Sequence, residues 1–169
     1  PDEGFLNSLR RWLPASCRVN IYGCGPGRAG LLLAAAGHTV TMIDIAANCL
    51  DAAVATAVAG SERLHFVCGS ITEAERFMAP SDWGLCCDVL EHLPPEWVLA
   101  ALDQMRRLSP KIFVSISHVP DVCGRWINDT LHLTVAPLEW WLPHIVARWP
   151  KLSIGTVGGS ASTLVGEAV

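Results

Sequence analysis

No stretch of the 169-residue sequence is apolar for long enough to cross a bilayer; runs such as Leu31 to Ala36 stop far short of the ~20 residues a helical span needs. No basic segment followed by an apolar one marks an export signal. No C-x-x-C pair occurs, and the cysteine count, seven, is odd. A disulfide framework is thereby excluded, and thiols at 17, 24, 49, 68, 86, 87 and 123 read as reduced and mostly buried, in a cytoplasmic protein. Lysine is scarce, with only Lys111 and Lys151 among 12 bases, and no function is read from that. Internal repeats and low-complexity tracts are absent too. Charged residues make up only 17% against 51% hydrophobic, which excludes a disordered chain. Twelve bases against 16 acids leave a formal charge of −4, so nothing draws nucleic acid to the chain as a whole. The length fits one domain, 1–169, able to bury a core without staples. Pro1 is no initiator, so the start reads as trimmed or as cut from a larger parent polypeptide.

What is present is an alternation of short β-rich runs with helical stretches, the pattern of an α/β fold with a mainly parallel sheet. Within 1–16, Phe5, Leu9 and Trp12 share a face and predict a helix over Gly4–Leu13. Strands are predicted at Cys17–Tyr22, His38–Ile43, Leu64–Cys68, Trp83–Cys87 and Lys111–Ser117. Between them, helices are expected from the glycine loop to Ala36, over Ala47–Val58 and Thr72–Met78, and after Pro95 with Val98, Leu102 and Met105 inward. Gly37 is placed to end the first of these in the left-handed conformation. His118–Ala136 breaks the rhythm, and a Trp-rich helix is expected over Pro137–Trp149 despite Pro143. Lys151–Val157 and Ser162–Ala168 read as a closing hairpin around Gly158-Gly159-Ser160, within 150–169.

Gly23-x-Gly25-x-Gly27 lies between the first strand and its helix, where glycine lets backbone approach a ligand and helix amides face it. Asp44 ends the second strand, where an acid accepts from ribose hydroxyls in nucleotide-binding α/β folds. Together they point to an adenosine-containing cofactor; the plainer alternative is a tight turn with a helix-capping Asp. Gly25-Pro26-Gly27-Arg28-Ala29-Gly30 also satisfies G-x-G-x-x-G, which keeps open an NAD(P)- or FAD-binding oxidoreductase. That reading shifts the loop two residues from the strand end. Asn20 falls in the central strand and needs partners for a buried amide.

With the stretch after strand four included, the chain resembles the class I S-adenosylmethionine-dependent methyltransferases. The carrying segments are Val19–Gly27, Thr41–Ile45, Phe66–Ile71 and Cys87–Pro94. The resemblance implies a three-layer αβα Rossmann-like fold whose seven-stranded, mostly parallel sheet ends in a C-terminal antiparallel hairpin. It implies a cofactor-binding core at 17–117, a substrate side at 118–149, S-adenosylmethionine as cofactor and S-adenosylhomocysteine as product. Gly23, Cys24, Gly25 and Gly27 would then pack against the methionine part, Asp44 hold the ribose and Ile45 lie on the adenine. Ser70 and Ile71 would sit at the adenine edge, and Asp88 and Val89 near the transfer centre. Two departures stand out: Ile21 where the family usually has an acid, and Ser70 where it often has one. The first keeps open a catalytically weakened domain that binds cofactor or a partner.

Methyl transfer to a hydroxyl or protonated amine calls for a base, and His92, His118 and His132 are the candidates by position, with Asp88 beside them. Trp140 and the two later histidines are candidate acceptor contacts. Asp88, Glu91 and His92, completed by His118 or His132, resemble the metal site of enzymes that methylate the 2′-oxygen at RNA 3′ ends. A divalent metal is nevertheless not expected, since the same stretch occurs in metal-free members. Pro94-Pro95 is not the Asn/Asp-Pro-Pro-aromatic motif of amino-directed DNA methylation, and no Pro-Cys nucleophile loop is present. The expected reaction is methyl transfer to an O or N atom of a small molecule, with neither nucleic acid nor membrane as partner.

Overall fold

The computed structural model describes Leu9, residues 11–157 and residues 160–169. Short apolar runs bounded by polar residues, Gly or Pro form seven strands: β1 (Arg18–Tyr22), β2 (Thr39–Asp44), β3 (Leu64–Cys68), β4 (Trp83–Cys87), β5 (Lys111–Ser117), β6 (Lys151–Val157) and β7 (Ala161–Glu167). Four α-helices lie wholly within the described residues: α1 (Arg28–Ala35), α2 (Ala52–Gly60), α3 (Pro95–Leu108) and α4 (Leu138–Val146). The strands join in one sheet of order β3-β2-β1-β4-β5-β7-β6. Only β7 runs against the others, pairing antiparallel with both β5 and β6. Strand order reverses between β1 and β4, and in open α/β sheets the crevice at such a switch point receives ligands.

Side chains alternate across the sheet and fill a core on each face. Val19 and Ile21 of β1 meet Leu33 of α1 and Val54 of α2 on one side, together with Val40, Met42 and Leu64. Tyr22, Val114 and Ile116 face Val98, Leu102 and Met105 of α3, Trp141 and Ile145 of α4, and Trp149 on the other. Asn20 finds its partner here, its Nδ2 donating to the Ala79 carbonyl at 2.9 Å. The Tyr22 hydroxyl bonds Ser109 Oγ at 2.8 Å, and burial pushes that phenol up to about 12. Trp149 is fully buried and donates Nε1–H to the Ser109 carbonyl at 3.1 Å.

Four elements differ from expectation. The helix expected from Ala47 begins at Ala52, because Asp51 donates its amide to the Pro26 carbonyl (3.1 Å) and pairs its carboxylate with Arg28. Residues 46–50 are thereby folded against the glycine loop instead of joining the helix. The segment after β3 is a 3-10 turn over Ile71–Arg76, broken at Glu73. Asp88 to His92 does not open a helix: Asp88 takes φ 55° and only Leu90–His92 forms a 3-10 turn. Asp88, Glu91 and His92 therefore share no helical face. The Pro137–Trp149 helix is shorter, Leu138–Val146, with Pro143 accommodated inside it. The N-terminal helix expected over Gly4–Leu13 falls mostly outside the described residues, although Leu9 and Leu13 are buried and joined by a helical hydrogen bond. Gly158 and Gly159 of the hairpin turn also lie outside them. Among the described residues, no helix is long and apolar enough to cross a membrane.

Candidate functional site

The crevice at the switch point is built from the glycine loop, the end of β2 and the turn after β4. Gly23, Gly25 and Gly27 all take positive φ, 71°, 49° and 77°. A Cβ on Gly23 would strike Val89 at 2.5 Å, and one on Gly27 would strike Val54 at 2.7 Å. A Cβ on Gly25 would meet nothing within 4 Å, so this glycine leaves open space in front of the loop. Asp44 braces it from behind: Oδ2 accepts from the Gly25 amide at 2.8 Å and Oδ1 from the Ala46 amide at 3.0 Å. Each oxygen keeps a lone pair for a further donor.

Next to the loop opens a cavity of about 430 Å³, within the range of small-molecule sites. Gly23, Cys24 and Gly25 line it, with Ile21 and Leu85, register partners on β1 and β4, as its apolar floor. Asp88 stands at its rim and is, among the described residues, the only carboxylate in the lining. Its amide donates to the Ser115 carbonyl (2.9 Å) and its Oδ1 accepts from Ser115 Oγ (3.0 Å), which fixes the left-handed backbone there. Cys87 also lines the cavity, and burial pushes its thiol up to about 12. Burial likewise raises the Cys24 thiol, so neither acts as a free thiolate nucleophile near neutral pH.

Val89 packs on Gly23 but stays outside the lining, as does Gly27. Ile45 is 75% exposed beside Asp44. Ser70 caps the 3-10 turn by accepting from the Thr72 amide, whereas Ile71 is buried in the core. Gly30 faces Met42, where a Cβ would lie 2.2 Å from the sulfur. The third glycine of the G-x-G-x-x-G reading is thus a helix–sheet contact.

The histidines divide into two kinds. His92 and His132 meet edge to face, with ring centroids 4.8 Å apart. Each donates its Nδ1–H to a carbonyl, His92 to Leu131 (2.9 Å) and His132 to Val119 (2.7 Å), which leaves the lone pair on Nε2. His118 uses both nitrogens, donating from Nδ1 to Ala136 (3.1 Å) and accepting at Nε2 from Ser162 Oγ (2.8 Å). It clamps β5 to β7 and has no lone pair to offer an acceptor. Trp140 is half-buried and stacks edge-on against Trp141 and His144.

Glu91 is fully buried; Oε1 accepts from the Ser117 amide at 2.9 Å, and Oε2 has no partner. Burial pushes its carboxyl up and Asp88 adds to the rise, while backbone amides, Ser117 among them, and His92 oppose it. The native protein therefore holds this proton more tightly than the unfolded chain. Stability falls as pH rises from the ordinary glutamate range through the raised value, and stays lost above it. Glu91→Gln keeps the acceptor for Ser117 and removes the titration. We expect it to match or exceed the wild type in urea unfolding at pH 7, with the wild-type disadvantage gone below about pH 4. Among the described residues, no three of Asp88, Glu91, His92 and His132 bring ligand atoms within 4.8 Å of one another. The group that does is Cys24, Asp44 and Cys49, all within 4.8 Å of one another.

Ile21, Pro26, Arg28, Ala29, Leu85 and Cys87 line the cavity as well, outside the set expected from the sequence. A signal was available for three of them: Ile21, Leu85 and Cys87 follow period two at the carboxyl ends of adjacent strands.

A family model described as a methyltransferase domain matches residues 20–110. No curated protein matches the sequence. Among solved structures, the PH0226 protein from Pyrococcus horikoshii OT3 is similar with a TM-score of 0.82 at 15% identity, over 99% of this chain and 89% of that one. Magnesium protoporphyrin IX methyltransferase from Synechocystis PCC 6803, with bound S-adenosylhomocysteine, is similar at TM-score 0.68 and 18% identity, over 99% and 81%. An O-methyltransferase family protein from Burkholderia thailandensis follows at TM-score 0.69 and 17% identity, over 89% of this chain and 50% of its own length.

Proposed function

The chain belongs to the methyltransferase-domain family, and from that premise we propose that it methylates an oxygen or nitrogen atom of a small molecule. It is an S-adenosylmethionine-dependent enzyme. The carrying observation is the pairing of Asp44 with Gly25: a carboxylate with spare lone pairs behind a loop whose front is open, at the switch point of the sheet. These residues fit the cofactor. Asp44 would hold the ribose hydroxyls, Ile45 the adenine face and Ser70 the adenine edge, while Gly23, Cys24 and Gly25 would border the methionine part.

When bound, S-adenosylmethionine supplies a methyl group on a positively charged sulfur, open to in-line attack. Asp88 puts a negative charge at the cavity rim, and so supplies there the acid that Ile21 does not. Its rigid seat on Ser115 fixes that charge in place. His92 is the base: the Leu131 carbonyl holds the proton on Nδ1, so Nε2 is free to take a proton from an acceptor hydroxyl. His132 packs against the same ring and limits its rotation.

The segment between β5 and α4 packs on the turn after β4, held by the Thr134 amide on the Glu91 carbonyl (2.9 Å) and Thr134 Oγ1 on the Leu93 carbonyl (2.6 Å). It presents Val122, Trp126 and Ile127 to solvent, at 58%, 81% and 66% exposure. Those side chains suit a planar, apolar acceptor. The porphyrin and O-methyltransferase relatives support a small-molecule acceptor, and seven free cysteines fit a reducing, cytoplasmic setting.

The test begins with calorimetric titration against S-adenosylhomocysteine and NAD, then a panel of phenolic, carboxylic and amine acceptors. Binding of the sulfur cofactor with turnover of at least one planar acceptor is expected. His92→Ala should lower kcat about 10²- to 10⁴-fold while leaving S-adenosylhomocysteine affinity within twofold. Binding without turnover across the panel would turn the assignment to a catalytically weakened domain.

A further inference from the structure

We propose that Cys24, Cys49 and Asp44 form a site for a thiophilic divalent cation of the zinc class, and that this ion and the nucleoside cofactor exclude one another. The two thiol sulfurs and a carboxylate oxygen lie within 4.8 Å of each other, and all three residues are half-buried. Around a tetrahedral ion with metal–sulfur bonds of about 2.3 Å, ligand atoms stand roughly 3.5–4 Å apart. Small side-chain rotations therefore close the set, and water completes the fourth position. Two sulfurs and one oxygen favour a zinc-class ion over magnesium or calcium, which take oxygen ligands.

The backbone beneath the three ligands is already fixed. The Cys24 amide donates to the Ile43 carbonyl (3.1 Å), next to Asp44 at the end of β2. The Cys49 amide closes a turn on the Ala46 carbonyl (3.2 Å), and the Asp51 amide ties that turn to Pro26 of the glycine loop (3.1 Å). Binding replaces two S–H bonds by two metal–sulfur bonds and releases two protons to solvent; nothing is oxidised or reduced. The Asp44 oxygen that takes the metal no longer accepts from a ribose hydroxyl. Exclusion is reciprocal, since each ligand weakens the other by the same factor. This half of the proposal rests on the cofactor reading above, whereas the metal site itself does not.

Cadmium ion is the probe, because its bonds to thiolate produce an ultraviolet charge-transfer band. The wild-type chain is expected to bind one Cd²⁺ tightly, with the band and proton release appearing together. Cys24→Ser/Cys49→Ser should lose the band, and Cys123→Ser, at an exposed cysteine elsewhere, should keep it. Asp44→Asn should weaken Cd²⁺ binding about tenfold. Saturating Cd²⁺ should raise the apparent Kd for S-adenosylhomocysteine at least tenfold in the wild type and leave it unchanged in the double variant. A full-strength band in a double variant that retains the wild-type circular dichroism spectrum would overturn the site. Indifference of S-adenosylhomocysteine affinity to bound Cd²⁺ would overturn the exclusion. If S-adenosylhomocysteine fails to bind even without metal, the cofactor reading falls while the band still decides the cation site.

Discussion

Asp44→Ala is expected to reduce affinity for S-adenosylhomocysteine at least 100-fold, about 3 kcal/mol, in calorimetric titration. Two losses combine. The carboxylate that would accept the ribose hydroxyls disappears, and hydrogen bonds to a charged group contribute about 1.5–3 kcal/mol each. The amides of Gly25 and Ala46 also lose their acceptor, so the loop is no longer held in the geometry that leaves its front open. Asp44→Asn separates the two effects. Its amide group offers one acceptor oxygen but turns a donor towards one of two backbone donors, so an intermediate loss of affinity is expected. A change of less than threefold in Asp44→Ala would remove the residue from the cofactor site.

Trp149→Ala should give the largest loss of stability, about 3–5 kcal/mol, the range for removing a fully buried aromatic side chain. The ring packs on Gly166, where a Cβ would sit 2.6 Å from Trp149 Cβ, and its Nε1–H satisfies the Ser109 carbonyl. Truncation opens a cavity beside β7 and orphans that carbonyl at once. Urea unfolding should show a lower midpoint with an unchanged slope, and Tm should fall by about 10 °C. Trp149→Phe keeps most of the volume and loses only the hydrogen bond, so a smaller cost of about 1–2 kcal/mol is expected.

Much of the sheet was legible because its signals are local. The bounds predicted for the strands at Leu64–Cys68, Trp83–Cys87 and Lys111–Ser117 match the structure, and turn or breaker residues bracket these runs in the sequence. The glycine loop and Asp44 were legible for the same reason, since strand, turn and strand-end positions fix them in sequence. What failed depends on distant partners. The late start of α2 follows from a hydrogen bond between Asp51 and Pro26, and the unwound Asp88 follows from Ser115, 27 residues away. Spacing placed Glu91 beside Asp88 and His92, but burial turns it to the Ser117 amide. His118 looked like a base until Ala136 and Ser162 took its two nitrogens. The pairing of Cys24 with Cys49 was out of reach, because only the fold brings a residue of the glycine loop beside one in the turn before α2.

The apolar floor of the cavity and the segment between β5 and α4 differ in how they are held. Ile21 and Leu85 sit in β1 and β4, each paired with a strand on both sides, so that their opening requires much of the sheet to come apart. That segment closes largely on itself, with Asp121 accepting from the amides of Gly124 and Leu131, and exposes most of its side chains. Amide exchange should therefore be slow in β1 and β4 and fast across most of 118–136, two kinetic regimes within one domain. The segment can accordingly vary, lengthen or be exchanged for another without disturbing those strands. In such an arrangement one part of the fold is free to change over evolution while the floor of the cavity stays constant.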